Sequence, residues 1–141
     1  MLKTLLPVDG SAASLRAVEY AIKVYGSCHN GQIVLLNVQP PSDSWELKSH
    51  LRPAEIEAMQ VSRGGDALDS ARKLLDAAKV PHESIVLLGP VAETIVACAH
   101  DKGCEQILMG NKGESFIAEA ITGSVAHDVL RLTPIPVTYV K

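Results

Sequence analysis

The chain has 141 residues, enough for one domain with an ordinary core. Hydrophobic residues make up 47% and aromatics only 4%, so that core has to be built from Leu, Ile, Val and Ala. A formal net charge of -3, with both signs interspersed, argues against a dedicated nucleic-acid binder, and no run reaches the ~18 apolar residues of a membrane span.

The opening stretch, "MLKTLLPVDG", lacks the apolar length and the small-residue cleavage site of a signal peptide, so a soluble cytoplasmic protein is expected. Its first predicted strand is "LKTLLPV" (2–8). Ser11 or Ser14 then caps a helix with Leu15, Val18, Ile22 and Tyr25 on one stripe, closed by Gly26. The second strand is "QIVLLNV" (32–38), and the Pro- and Ser-rich segment 39–52 reads as a loop or flap carrying Trp45. Pro53 suits the first turn of a helix, "PAEIEAMQVS", which resumes as "DALDSARKLLDAAK" with Leu68, Ala71, Leu75 and Ala78 on one face. Gly64-Gly65 lies between the two halves; each glycine costs about 1 kcal/mol against Ala, which predicts a kink or break.

A third strand, "ESIVLLG" (83–89), leads through Pro90 to a helix with Val91, Ile95 and Ala99 facing inward. The fourth strand is "EQILMG" (105–110). The last helix starts at Ser124, carries Val125, Val129 and Leu132, and is closed by Pro134 ahead of a fifth strand, "IPVTYV" (135–140). The middle three strands are nearly continuous in apolar residues, the pattern of strands buried on both faces of a parallel sheet. Strict alternation of strands and helices in one short domain gives an α/β fold, an open five-stranded parallel sheet with helices on both faces. Cys28, Cys98 and Cys104 form no CxxC pair; buried reduced thiols are expected, with a Cys98–Cys104 redox pair as the minor alternative.

Open parallel sheets bind ligands outside the carboxyl ends of their strands. Here those ends are Val8-Asp9-Gly10, Val38-Gln39, Gly89-Pro90 and Gly110-Asn111. From Gly110 the chain runs "GNKGESFIAEAITGS", placing Gly110, Gly113, Gly123 and Ser124 in a G-x2-G-x9-G-[ST] pattern. Such a pattern arises by chance in about half a per cent of chains this long, given ordinary residue usage. Glycines let a backbone approach a ligand closely, and Gly123-Ser124 opens a helix whose N-terminal amides favour an anion. Together they describe a phosphate cradle. Neither the P-loop signature nor G-x-G-x-x-G after the first strand is present.

These features resemble the universal stress protein family in its ATP-binding branch. The resemblance rests on the glycine pattern after the fourth strand, on Asp9 in "LLPVDGS", on "IVLLNVQ", on "GPVAETI" after the third strand and on the ending "GSVAHDVLRLTPIPVTYV". It covers the whole chain in order and implies a Rossmann-like, adenine-nucleotide alpha hydrolase-like fold. It also implies an ATP site: Pro7 and Asp9 against the adenosine, the Val38 backbone at the adenine edge, and Met109 and Gly110 beside the ribose. The amides of Gly113, Gly123, Ser124 and Val125, with the Ser124 hydroxyl, would meet the phosphates, accompanied by Mg2+ or Mn2+. Where the family often has basic residues, this loop has Asn111-Lys112 and then Glu114 and Glu119, so AMP or a related adenine nucleotide stays open beside ATP.

Plainer readings stand beside these. Asp9 could simply cap the first helix, Gly110 and Gly113 could form an ordinary turn, Lys112 could be a lone exposed lysine, and Ser124 is an N-cap under either reading. The five histidines have no ligand-like spacing, and Glu93 suits the first turn of a helix better than the role of a general base. No nucleophile–base pair or paired acid is visible, so any ATP hydrolysis would be slow and incidental. The expected function is therefore a nucleotide-holding regulator whose ordered loops are read by another protein. The fifth strand, an apolar sheet edge, predicts a homodimer through 135–140, which the resemblance also implies. The alternatives are a dimeric interaction module that binds no nucleotide, or a slow nucleotide hydrolase.

Overall fold

The computed structural model describes residues 2–26, 31–41, 44–110 and 124–141. Five strands, β1 (Leu2–Pro7), β2 (Gly31–Gln39), β3 (His82–Leu88), β4 (Gln106–Gly110) and β5 (Val137–Val140), form one parallel sheet in the order β3-β2-β1-β4-β5. The helices are α1 (Ala12–Tyr25), α2 (Trp45–His50), α3 (Pro53–Ala77), α4 (Val91–Asp101) and α5 (Ser124–Leu132). The open five-stranded α/β sheet expected from the sequence is the fold observed.

Successive strand residues point to opposite faces, so each apolar run feeds two cores. Leu6, Val8, Ile33, Leu35 and Leu108 pack with α1 and α3 through Ala17, Val18, Ala21, Leu68, Ala71 and Leu75. Leu5, Val34, Leu36, Val38, Ile107 and Met109 pack on the other face with α4 and α5 through Ile95, Cys98, Ala99, Ala126 and Val129. β2 and β4 are buried on both sides as expected. β3 is half-buried for most of its length despite an equally apolar sequence, because its place at the sheet edge leaves one side without a neighbouring strand.

Other local expectations are corrected. Segment 39–52 contains the short helix α2, N-capped by Ser44, whose hydroxyl accepts from the Leu47 N–H. α3 passes through Gly64-Gly65 unbroken. Gly64 is buried where the helix crosses β3, and a Cβ there would stand 2.5 Å from Val86 Cγ1. Packing against the sheet outweighs the glycine's poor helix propensity. On α1 the buried stripe is Ala13, Ser14, Ala17, Val18 and Ala21, with Leu15, Ile22 and Tyr25 at its margin. Small residues on the inner side let α1 lie close to the sheet. Leu132 is 37% exposed instead of closing the α5 stripe, and β5 starts at Val137.

Candidate functional site

The order β3-β2-β1-β4-β5 reverses direction at β1, since the chain steps from β1 to β2 and β3 on one side and returns to β4 and β5 on the other. Such a switch point opens a crevice at the carboxyl ends of the two central strands. Strand pairing accentuates it. β1 stays in register with β2 as far as Pro7↔Leu36, and the Val8 N–H continues the ladder to the Leu36 carbonyl at 2.8 Å. Pairing with β4 ends at Leu5↔Ile107. Pro7 has no N–H to extend a ladder.

The end of β1 is held on the β2 side by Asn37, which is almost fully buried and donates its side-chain amide to the Val8 carbonyl at 2.8 Å. The Asn37 Oδ1 accepts from Gln39 Nε2 at 2.7 Å. This residue was missed in the sequence; its signal was a single amide inside the apolar run "IVLLNV".

Beyond Val8 the chain turns sharply. Asp9 precedes Gly10, which sits at φ +83, a conformation that side chains with a Cβ rarely adopt. The Asp9 Oδ1 accepts the Ser11 N–H at 2.9 Å and the Ser14 hydroxyl at 3.0 Å. Ser11 is the N-cap of α1, its hydroxyl accepting from the Ser14 N–H at 3.3 Å. Of the two serines proposed as caps, Ser11 takes the role, and Asp9 braces the turn that leads into it.

Across the crevice, β4 ends at Met109 and Gly110, both buried. The Met109 side chain is 0% exposed within the α4/α5 core, so at the strand end it offers only backbone. A Cβ on Gly110 would stand 2.5 Å from the Ala13 carbonyl oxygen and 2.7 Å from its carbon. The protein itself therefore requires glycine here, for close packing of α1 over β4. Pro7 and Val38 are buried, and Val38 follows the Asn37 clamp. Ser124 is exposed at the first position of α5, and Val125 beside it packs partly into the core. Pro7, Asp9, Val38, Met109 and Gly110 thus converge on the ends of three adjacent strands, with Ser124 opening the helix that follows β4. Gly113 and Gly123, like Lys112, Glu114 and Glu119, lie outside the described residues.

Among the described residues no group of three or more His, Cys, Asp or Glu side chains could hold a metal ion. Glu93 is exposed in the first turn of α4, and Trp45, 74% exposed, projects from α2. A cavity of 520 Å³ lies beneath α2 beside Gln60, Leu88 and Gly89, at the ends of the β2–β3 side of the sheet. A larger one, 610 Å³, lies away from the strand ends, between α4 and the α5–β5 connection. Its walls are mostly apolar, with Glu93, His100, Asp101 and Thr133 among the lining residues, and it lies off the strand ends where open parallel sheets bind ligands. Cys98 and Cys104 are free and buried; burial pushes both thiols up from their usual range, the state of inert thiols. Cys28 lies outside the described residues.

The model of the universal stress protein family matches residues 1–141, the whole chain. The chain belongs to the universal stress protein family. It is 32% identical to the universal stress protein MJ0531 of Methanocaldococcus jannaschii over 99% of this chain and 81% of that one. The solved structure of MJ0577 from the same organism superposes with a TM-score of 0.79 at 25% identity, covering 99% of this chain and 94% of that one. A family protein from Arabidopsis thaliana, solved with AMP bound, shares the fold with a TM-score of 0.73 at 17% identity, covering 100% and 92%. No helix among the described residues is long and apolar enough to cross a membrane.

Proposed function

We propose that this universal stress protein is a cytoplasmic regulator that holds an adenine nucleotide, ATP with Mg2+ or Mn2+ before AMP, in the crevice between β1 and β4. The observation that carries the reading is the early end of β1–β4 pairing at the switch point of the sheet, with the Asp9 carboxylate on one lip and the end of β4 on the other. A carboxylate accepts hydrogen bonds at several positions and suits adenosine; the exposed start of α5 suits the phosphates. AMP in the Arabidopsis relative supports the ligand class. The cation would ride on the phosphates, since no acidic cluster among the described residues is built for it. Occupancy would present a changed surface to a partner protein, with little or no turnover.

The same reading includes a homodimer through β5. In the parallel register Ile107↔Val137, with the Ile107 N–H on the Pro136 carbonyl, the backbone groups of Val137 and Tyr139 face away from β4, the direction from which a second edge would pair. Sedimentation of wild type and Val137→Pro tests this; a wild-type monomer at micromolar concentration removes the dimer.

The nucleotide test starts with freshly purified protein, denatured and searched for released nucleotide by mass spectrometry. Titration of ATP and AMP with Mg2+ into stripped protein follows, with Gly113→Val as control. Bound adenine nucleotide, lost in the variant, supports the cradle. No binding at millimolar ligand removes it and leaves the interaction module.

A further inference from the structure

Ser14 is 1% exposed, yet carries a hydroxyl that α1 does not need for its own cap, because Ser11 already caps the helix. That hydroxyl has one hydrogen and two acceptors at the same distance: Asp9 Oδ1 at 3.0 Å and the Ser11 carbonyl at 3.0 Å. A charged acceptor outcompetes a neutral one, so with Asp9 ionised the hydrogen goes to the carboxylate. The Ser11 N–H reaches the same oxygen at 2.9 Å, and the Asp9 N–H approaches the Ser14 hydroxyl at 3.4 Å. Two donors converging on Oδ1 restrain the Asp9 side chain. The Ser14 backbone also lies close to the opposite lip of the crevice: a Cβ added at Gly110 would stand 3.1 Å from its nitrogen.

We propose that Ser14 is a positioning residue of the nucleotide site, its buried hydroxyl holding the Asp9 carboxylate in the orientation that receives the adenosine. This rests on the nucleotide reading above. Ser14 ties the Asp9 carboxylate to the first turn of α1, so the acceptor is organised before ligand arrives. Preorganisation of this kind lowers the cost of binding.

The test combines a ligand-free and a ligand-bound readout on wild type, Ser14→Ala, Asp9→Ala and the double variant. Three-bond couplings to Asp9 Cγ, measured by NMR without nucleotide, report its χ1 rotamer: one rotamer in wild type, averaging in Ser14→Ala. Calorimetric titration should show ATP bound about fivefold more weakly by Ser14→Ala, the effect of one lost hydrogen bond. In the Asp9→Ala background, which lacks the acceptor oxygen, the same substitution should change affinity less than twofold. Unchanged Asp9 couplings and affinity in Ser14→Ala overturn the proposal, as does an equal loss in both backgrounds, which would mean Ser14 acts without Asp9. A wild-type chain that binds neither ATP nor AMP overturns the nucleotide reading itself, and the proposal with it.

Discussion

The two adjacent glycines of α3 should answer the same substitution with opposite signs. In Gly65→Ala nothing lies within 4 Å of the new Cβ, so helix propensity acts alone and stabilises by about 0.5–1 kcal/mol. For a domain of this size that raises Tm by roughly 2–4 °C. Gly64→Ala gains the same propensity, but its Cβ would stand 2.5 Å from Val86 Cγ1, 3.0 Å from Val86 Cγ2 and 3.0 Å from Asn37 Oδ1. Carbon pairs are comfortable at about 3.5–4.0 Å, so either α3 retreats from the sheet by roughly 1 Å or Val86 leaves its rotamer. A β-branched side chain in a strand has little freedom to turn, and overpacking costs about 1–3 kcal/mol. Net destabilisation of about 1–2 kcal/mol is expected, read as a lower urea midpoint with unchanged slope. Val86→Ala in the Gly64→Ala background should recover about 1 kcal/mol of coupling energy. A Gly64→Ala protein as stable as Gly65→Ala would refute the close approach of α3 to β3.

Gly110→Ala should be worse than Gly64→Ala, by about 2–3 kcal/mol in total, because its Cβ meets the Ala13 backbone, which cannot swing aside; chemical denaturation measures it. Asn37→Leu removes the donor to the Val8 carbonyl and the acceptor for Gln39; a loss of about 1–3 kcal/mol should appear as a lower urea midpoint. Cys98 and Cys104 should resist a disulfide reagent in native protein at pH 8 and react on unfolding. Burial raises both thiols in the folded state, so their contribution to stability is complete below the unfolded value of about 8.5 and is lost as pH climbs through the folded values. Urea melts at pH 7.5 and 9.5 should therefore show a larger alkaline loss for wild type than for Cys98→Ala/Cys104→Ala.

The order of the five strands and of every helix but the short α2 was legible in the amino-acid sequence, because apolar runs of strand length alternating with helical stripes leave one class of fold. That sequence also marked Asp9, Gly110 and Ser124, since an acid, a glycine and a serine at strand ends and helix starts break the apolar pattern visibly. Which glycines matter for packing emerges from contacts in space. Gly64 and Gly65 are indistinguishable in sequence, yet one lies against Val86 and the other faces open space. β3 and β2 read alike, but strand order makes one an edge and the other interior. Ser14 reads as a spare cap until the turn at Gly10 folds Asp9 back onto its hydroxyl. In each case the deciding contact joins residues through a turn or across elements. Local propensity and periodicity carry information about one element at a time, whereas the surroundings of a side chain are set by its neighbours in space.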